Sequence, residues 1–214
     1  MTGSKKAYWL MVLIAAVLIV HAVYTNFIGD PKAAAFLDHK TDLKRALPVS
    51  AWLTVMKIHV VFACLAMIAG AVNFSSAILR KSQRKFHKWN GYLYAVSVLI
   101  VTLTSGYMAP YATGGKAASM AFNLINIIWP IFTVIAIVQI RKKKLPQHRE
   151  WMIRSYAFVF TNLLIHALHS LLNNGFGMDY ANSYVISIYA TIVLLLLSSE
   201  MVIRIVLRRS NRTA

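Results

Sequence analysis

The sequence predicts an all-α, polytopic membrane protein with six transmembrane helices. Three observations carry this. Hydrophobic residues make up 58% of the 214-residue chain and charged residues 14%, against about 25% charged in an ordinary soluble domain. The apolar residues gather into six segments that reach or approach the roughly 20 residues needed to cross a bilayer. The charges fall into the short intervals between those segments. The segments run over residues 8–28, 50–79, 91–112, 118–140, 151–172 and 183–207, giving one transmembrane domain over 1–214 in which helices two to five form a central four-helix bundle.

The first segment follows a basic start, SKKAYWLMVLIAAVLIV, and resembles a signal peptide. The run ends in HAVYTNFIGDP with no small-x-small cleavage site, so a retained helix is expected. The 29–49 interval is the one long loop, with room for a short amphipathic turn. The second segment places His59, Ala63, Ala66, Gly70, Asn73 and Ala77 on one face. Small residues there serve close helix packing, or leave a slot for a flat macrocycle beside a histidine ligand. The third segment follows the basic stretch RKSQRKFHKW, and the Gly114-Gly115 pair marks a turn before the fourth. The fourth carries Ser119, Asn123, Asn126, Pro130 and Thr133 on one stripe, Pro130 freeing a backbone carbonyl. In the fifth, Ser155, Asn162, His166, His169 and Asn173 share a face that should point into the bundle, because polar groups in hydrocarbon need partners. The second and sixth segments exceed the minimum and are expected to tilt or extend into water.

Orientation follows from Lys and Arg. With the N-terminus inside, Lys5, Lys6, the 80–88 and 141–149 loops, Arg154 and the 204–212 tail are inner. Lys32, Lys40, Lys44, Arg45, Lys57 and Lys116 remain outer, with Asp30, Asp38, Asp42 and Asp179. Both termini are then cytoplasmic. The net charge of +17 is a topology signal and an affinity for anionic lipid. Spread over short loops and a tail, it argues against nucleic acid as a partner. Cys64 is the single cysteine, which excludes an internal disulfide. The chain has no Gly-rich phosphate loop, no HExxH and no CxxC.

The histidines carry the functional reading. His87 and His148 each stand where a basic loop meets an apolar segment; His59, His166 and His169 lie inside segments, and His21 lies near the end of one. Intramembrane ionisable groups are functional suspects by default. At about 1.5 Å per residue, His59 lies roughly 13 Å, His166 roughly 9 Å and His169 roughly 4–5 Å from the outer boundary. His59 and His166 are thus expected at one level, with His169 as the substitute, and His87 and His148 at the inner boundary. Two neutral imidazoles at one level can grip a haem iron from both faces. For the inner pair, an interfacial role among the belt residues Trp89 and Trp151 is the plainer alternative.

Lys57-x-His59, the Gly70 stripe, Leu79-Arg80, His87-Lys-Trp-x-Gly91-x-x-Tyr94 and His148-Arg-x-Trp-Met-x-Arg154-x-Tyr-Ala resemble a family of bacterial predicted membrane proteins, domain of unknown function 2306. The likeness covers roughly His59 to Leu172. In that family the third-helix signature carries two arginines where this chain has Lys88 and Tyr92. The resemblance implies the multipass architecture and a bacterial inner (plasma) membrane location. More distantly, the histidine placement is similar to b-type di-haem transmembrane cytochromes, which move electrons from ascorbate or quinol.

Three functions are therefore expected in order. The first is haem b binding and transmembrane electron transfer, a membrane oxidoreductase activity with a quinone or small reductant as partner; His59 with His166 or His169 would hold one haem, and His87 with His148 another. The second is a transporter, an assembly factor or a subunit of a larger membrane complex. The third is a zinc or copper site built from His59, His166 and His169, with His21; no carboxylate was placed inside the helices to act as its base.

Overall fold

The computed structural model describes residues 2–38, 40, 46–75 and 83–208. Ala77, Leu79, Arg80 and the acid and bases at 42, 44 and 45 lie outside the described residues. Among the described residues all regular structure is helical, with six helices long and apolar enough to cross a membrane. In chain order the helices are α1 (Thr2–Val23), α2 (Ala34–Asp38), α3 (Val49–Asn73), α4 (Arg84–Met108), α5 (Gly115–Arg141), α6 (Leu145–Ala157), α7 (Thr161–Ser170) and α8 (Tyr180–Val202). α6 and α7 form one span, joined by a 3₁₀ turn at Phe158–Phe160. The short α2 fills the long loop where a single turn was expected.

All six spans start earlier than their apolar segments, and in two of them the shift takes in a histidine. α4 begins at Arg84 and the fifth span at Leu145, so His87 and His148 sit in first helical turns rather than in loops. Hydropathy marks where hydrocarbon begins, whereas Lys and Arg are good helix formers whose stems run along apolar surface while their charges reach water.

The chain divides into two compact units, Met1–His39 with Pro48–Thr104, and Lys40–Leu47 with Ser105–Ala214. In the first unit, α1 is apolar around its circumference and mostly exposed, with Trp9, Leu13, Val17 and Val20 all uncovered and Ala15 buried. That pattern suits a helix facing lipid. The Tyr8 hydroxyl donates to the Ala71 carbonyl of α3 at 3.2 Å. α3 buries Ala66, Gly70 and Asn73 from its predicted small-residue stripe. α4 is tied to α3 by Asn90, whose Nδ2 donates both to the Ala69 carbonyl at 2.7 Å and to Asn73 Oδ1 at 2.8 Å. A Cβ on the adjacent Gly91 would lie 3.5 Å from Asn73 Nδ2.

The second unit is built on α5 and α8. α5 buries Ala118, Ala121, Ile125, Trp129, Thr133 and Ala136, which recur three and four apart as one helical face. Asn123 of the predicted polar stripe is exposed, while Thr133 is buried. The Thr133 hydroxyl bonds to the Trp129 carbonyl at 3.0 Å and meets Ser155 Oγ of α6 at 2.7 Å. The two hydroxyls thus join α5 to α6. Trp129 stacks on Phe158, and Phe132 packs against both Trp151 and Phe158. α8 presents Ser183, Ser187, Thr191 and Ser199 as buried small polar residues; Ser187 and Ser199 bond to the carbonyls of Ser183 and Leu196.

Gly114 and Gly115 form the expected turn before α5, with φ of 87° and 61°. A Cβ on Gly114 would collide with Val185 Cγ2 of α8, so glycine is needed there for both its left-handed backbone and its missing side chain. Lys40, outside the spans, donates to the Tyr111 carbonyl; burial pushes its ammonium down to about 8.

Three outcomes follow. Gly114→Ala should lower unfolding stability in detergent by about 2 kcal/mol or more, measured by reversible denaturation, with Gly115→Ala cheaper. Thr133→Val should cost about 0.5–1.5 kcal/mol by the same measurement, the range of interhelical hydrogen bonds in membranes. Acylation of Lys40, followed by mass spectrometry, should reach half its maximal rate near pH 8 rather than at the ordinary 10.5. Stability should correspondingly rise from pH 8 to 10.5, because over that range the unfolded chain holds a proton that folded Lys40 has released.

Candidate functional site

The fifth span decides which of its histidines is inside. A continuous α-helix turns about 100° per residue, and on it Ser155 and His166 are only about 20° apart. The 3₁₀ turn at Phe158–Phe160 advances about 120° per residue, adding about 60° over three residues. That rotation carries His166 to about 80° from the Ser155 face and brings His169 to within about 20° of it. Accordingly Ser155 and His169 are buried and His166 is exposed; Asn162, whose exposure this rotation does not explain, is exposed as well. The expectation that all five polar residues of this stripe point inward is corrected by the break in the helix.

His169 is held on several sides. Its Nδ1 lies 3.0 Å from Ser183 Oγ of α8, and the Ser183 proton is directed to the Tyr180 carbonyl at 2.9 Å. Ser183 therefore accepts from His169 Nδ1–H. The Tyr180 and Tyr184 rings meet the imidazole edge to face, with centroids at 4.5 and 5.6 Å.

His59 is held in the same manner within the first unit. Its Nδ1 lies 3.0 Å from Thr104 Oγ1 of α4. That hydroxyl spends its proton on the Ile100 carbonyl at 2.7 Å or the Val101 carbonyl at 3.0 Å, so it accepts from His59. In the second unit His148 Nδ1 lies 2.9 Å from the Ala136 carbonyl of α5, which can only accept. In all three histidines an oxygen on the neighbouring helix faces Nδ1; for His148 it is a carbonyl, which requires the hydrogen on Nδ1. That is the arrangement a histidine metal ligand takes, since its second nitrogen is anchored by an outer partner.

His87 and His21 differ. His87 is half-buried in the first turn of α4, and His21 is exposed near the end of α1. Within either unit, no three His, Cys, Asp or Glu side chains gather as a metal-holding group among the described residues.

The His148–Ala157 block also carries a charge pair. Arg154 Nε lies 2.5 Å from Glu200 Oε1 of α8, and the guanidinium sits 4.6 Å from the Trp151 ring centroid. Glu200 is thus a carboxylate inside the sixth span, which the sequence reading had not placed there. Its partner is 46 residues away, so no local spacing could announce the pair. Asn90 was also missed, standing as an unassigned position between Trp89 and Gly91. The buried Ser and Thr of α8 were missed as well, although their four-residue spacing was a usable signal.

The sequence model of one family, described as predicted membrane protein (DUF2306), matches residues 56–203. The match runs from the first half of α3 to just past the end of α8 and contains His59, His87, His148, His166 and His169. No curated protein and no solved structure matches the chain.

If Arg154 and Glu200 serve each other, Glu200→Gln should destabilise more than the exchange Arg154→Glu with Glu200→Arg, which restores the pair. Thermal unfolding of the three proteins in one detergent tests this, and equal losses would rule the coupling out.

Proposed function

This chain belongs to the DUF2306 family of predicted membrane proteins, and we propose that it binds b-type haem through histidine Nε2 atoms and passes electrons across the membrane. The observation behind this reading is the shared anchoring of His59, His148 and His169. Each sets its Nδ1 against an oxygen on a neighbouring helix, which favours Nε2 as the nitrogen for a ligand bond. His169 is the better supported of the two outer candidates on the fifth span, because it is buried and oriented whereas His166 is exposed. His87 completes the set of ligand candidates.

Bound haem would supply a reversible one-electron couple within the bilayer. The residues of this chain would contribute orientation and basicity. Thr104, Ser183 and the Ala136 carbonyl hold the imidazoles in one tautomer, and the aromatic edges of Tyr180 and Tyr184 restrict rotation of His169. A quinol or another small reductant is the proposed donor. The distribution of Lys and Arg supports an inner-membrane topology with both termini cytoplasmic.

A second reading has its own support. The signature block spends His148, Arg154 and Ser155 on ties to α5 and α8, which is what a scaffold subunit, assembly factor or transporter needs. A zinc or copper site using His59, His166 and His169 is the third.

Purified protein from haem-replete cells should be red, with sharp bands on reduction. His59→Ala and His169→Ala should remove haem. Thr104→Val and Ser183→Ala should keep the ligands but weaken retention by about 10–100-fold, the usual cost of losing an outer-shell partner. A colourless, iron-free preparation would sink the haem reading. Elemental zinc or copper in that preparation would favour the third reading, and co-purifying subunits the second.

A further inference from the structure

The first unit carries a groove of about 770 Å³ beside the start of α3. One wall comes from the turn and helix at Lys32, Leu37 and Asp38, the other from Ser50, Leu53 and Lys57. The volume is of ligand size. The groove lies at the start of α3, whose candidate span begins at Val49, the end of the helix where a bilayer boundary is expected. Leu37 and Leu53 give it an apolar side; two ammonium groups on separate segments give it a cationic one. Among the described residues neither lysine forms an ion pair, although Asp38 lines the same groove.

The Lys32 segment is held in a defined turn. Asp30 Oδ1 accepts from Ala34 N at 2.9 Å, and the Asp30 carbonyl accepts from Ala33 N at 2.9 Å. Ala33 has φ of 50° and is buried. A non-glycine residue in left-handed backbone persists only where its surroundings impose it, and such outliers cluster at ligand clamps. The turn holds Lys32 at the groove that Lys57 also lines.

We propose that this groove is a binding site for a phosphate-bearing anion, and that its occupant is the headgroup of an anionic phospholipid. The two ammonium groups would take the phosphodiester, while Leu37 and Leu53 would take the first carbons of the acyl chains. Lys32, Leu37, Asp38 and Leu53 lie outside the stretch matched by the family, and Lys57 lies at its start. The site is independent of the haem proposal.

The test is thermal unfolding of the full chain in nonionic detergent with added phosphatidylglycerol, with phosphatidylcholine, or with glycerol phosphate. Phosphatidylglycerol at about ten times its dissociation constant should raise the midpoint by about 3–6 °C, and phosphatidylcholine should not. K32Q/K57Q should lose that shift, while K116Q/K142Q, which removes the same charge elsewhere, should keep it. K32R/K57R should also keep it, which covers the case in which the glutamine variant folds poorly. A shift produced equally by glycerol phosphate would keep the anion site but assign it to a free phosphate ester. Equal shifts in the wild type and in K32Q/K57Q, or no shift in either, would overturn the proposal.

Discussion

Every polar group inside these helices needs a partner from the protein, because hydrocarbon offers none. Apolar contact gives helices in lipid little reason to associate, so the few polar contacts between them carry unusual weight. Asn90 joins α4 to α3 with both hydrogens of one amide. Ser155 and Thr133 join α6 to α5. Small residues make these contacts reachable: Gly70 and Ala66 line α3, and Gly114 lets α8 approach the start of α5. Packing and hydrogen bonding are thus one requirement: a side chain on Gly114 would collide with Val185 of α8 and force the two helices apart.

The same requirement fixes the histidine chemistry. A Ser or Thr in a helix commonly gives its proton to a carbonyl one turn back. Once it has done so, only its oxygen lone pairs remain, and a neighbouring imidazole can approach only as a donor. Thr104 and Ser183 impose this on His59 and His169, and the Ala136 carbonyl imposes it on His148. The placing of Nδ1 against these oxygens is a consequence of satisfying helix backbones. That is why the anchored histidines can be identified before any ligand is.

Much of the fold was legible in the sequence, because crossing a bilayer demands length and hydropathy together. All six spans, the glycine turn and the small-residue face of α3 follow from that demand and from residue size. Positions that depend on neighbours were not legible. Glu200 reads as one acid near a helix end until α6 brings Arg154 beside it. Asn90 reads as a linker position until Asn73 and Ala69 are in place. Helix starts were displaced at His87 and His148 because a basic helical turn looks like a loop to hydropathy.

The choice between His166 and His169 shows how small a departure changes a site. Both lie on an inward stripe if the fifth span is one regular helix, and the depth argument alone favoured His166. Three residues of tighter winding rotate the rest of the helix by about 60°, enough to exchange the two. The tighter turn sits where Phe158 meets Trp129 and Phe132, so aromatic packing against α5 fills the point at which the winding changes. The sequence FVF announces bulk but not winding. The orientation of the candidate ligand therefore rests on packing two turns away from it, and a polar stripe counted along an ideal helix is reliable only up to the first such break.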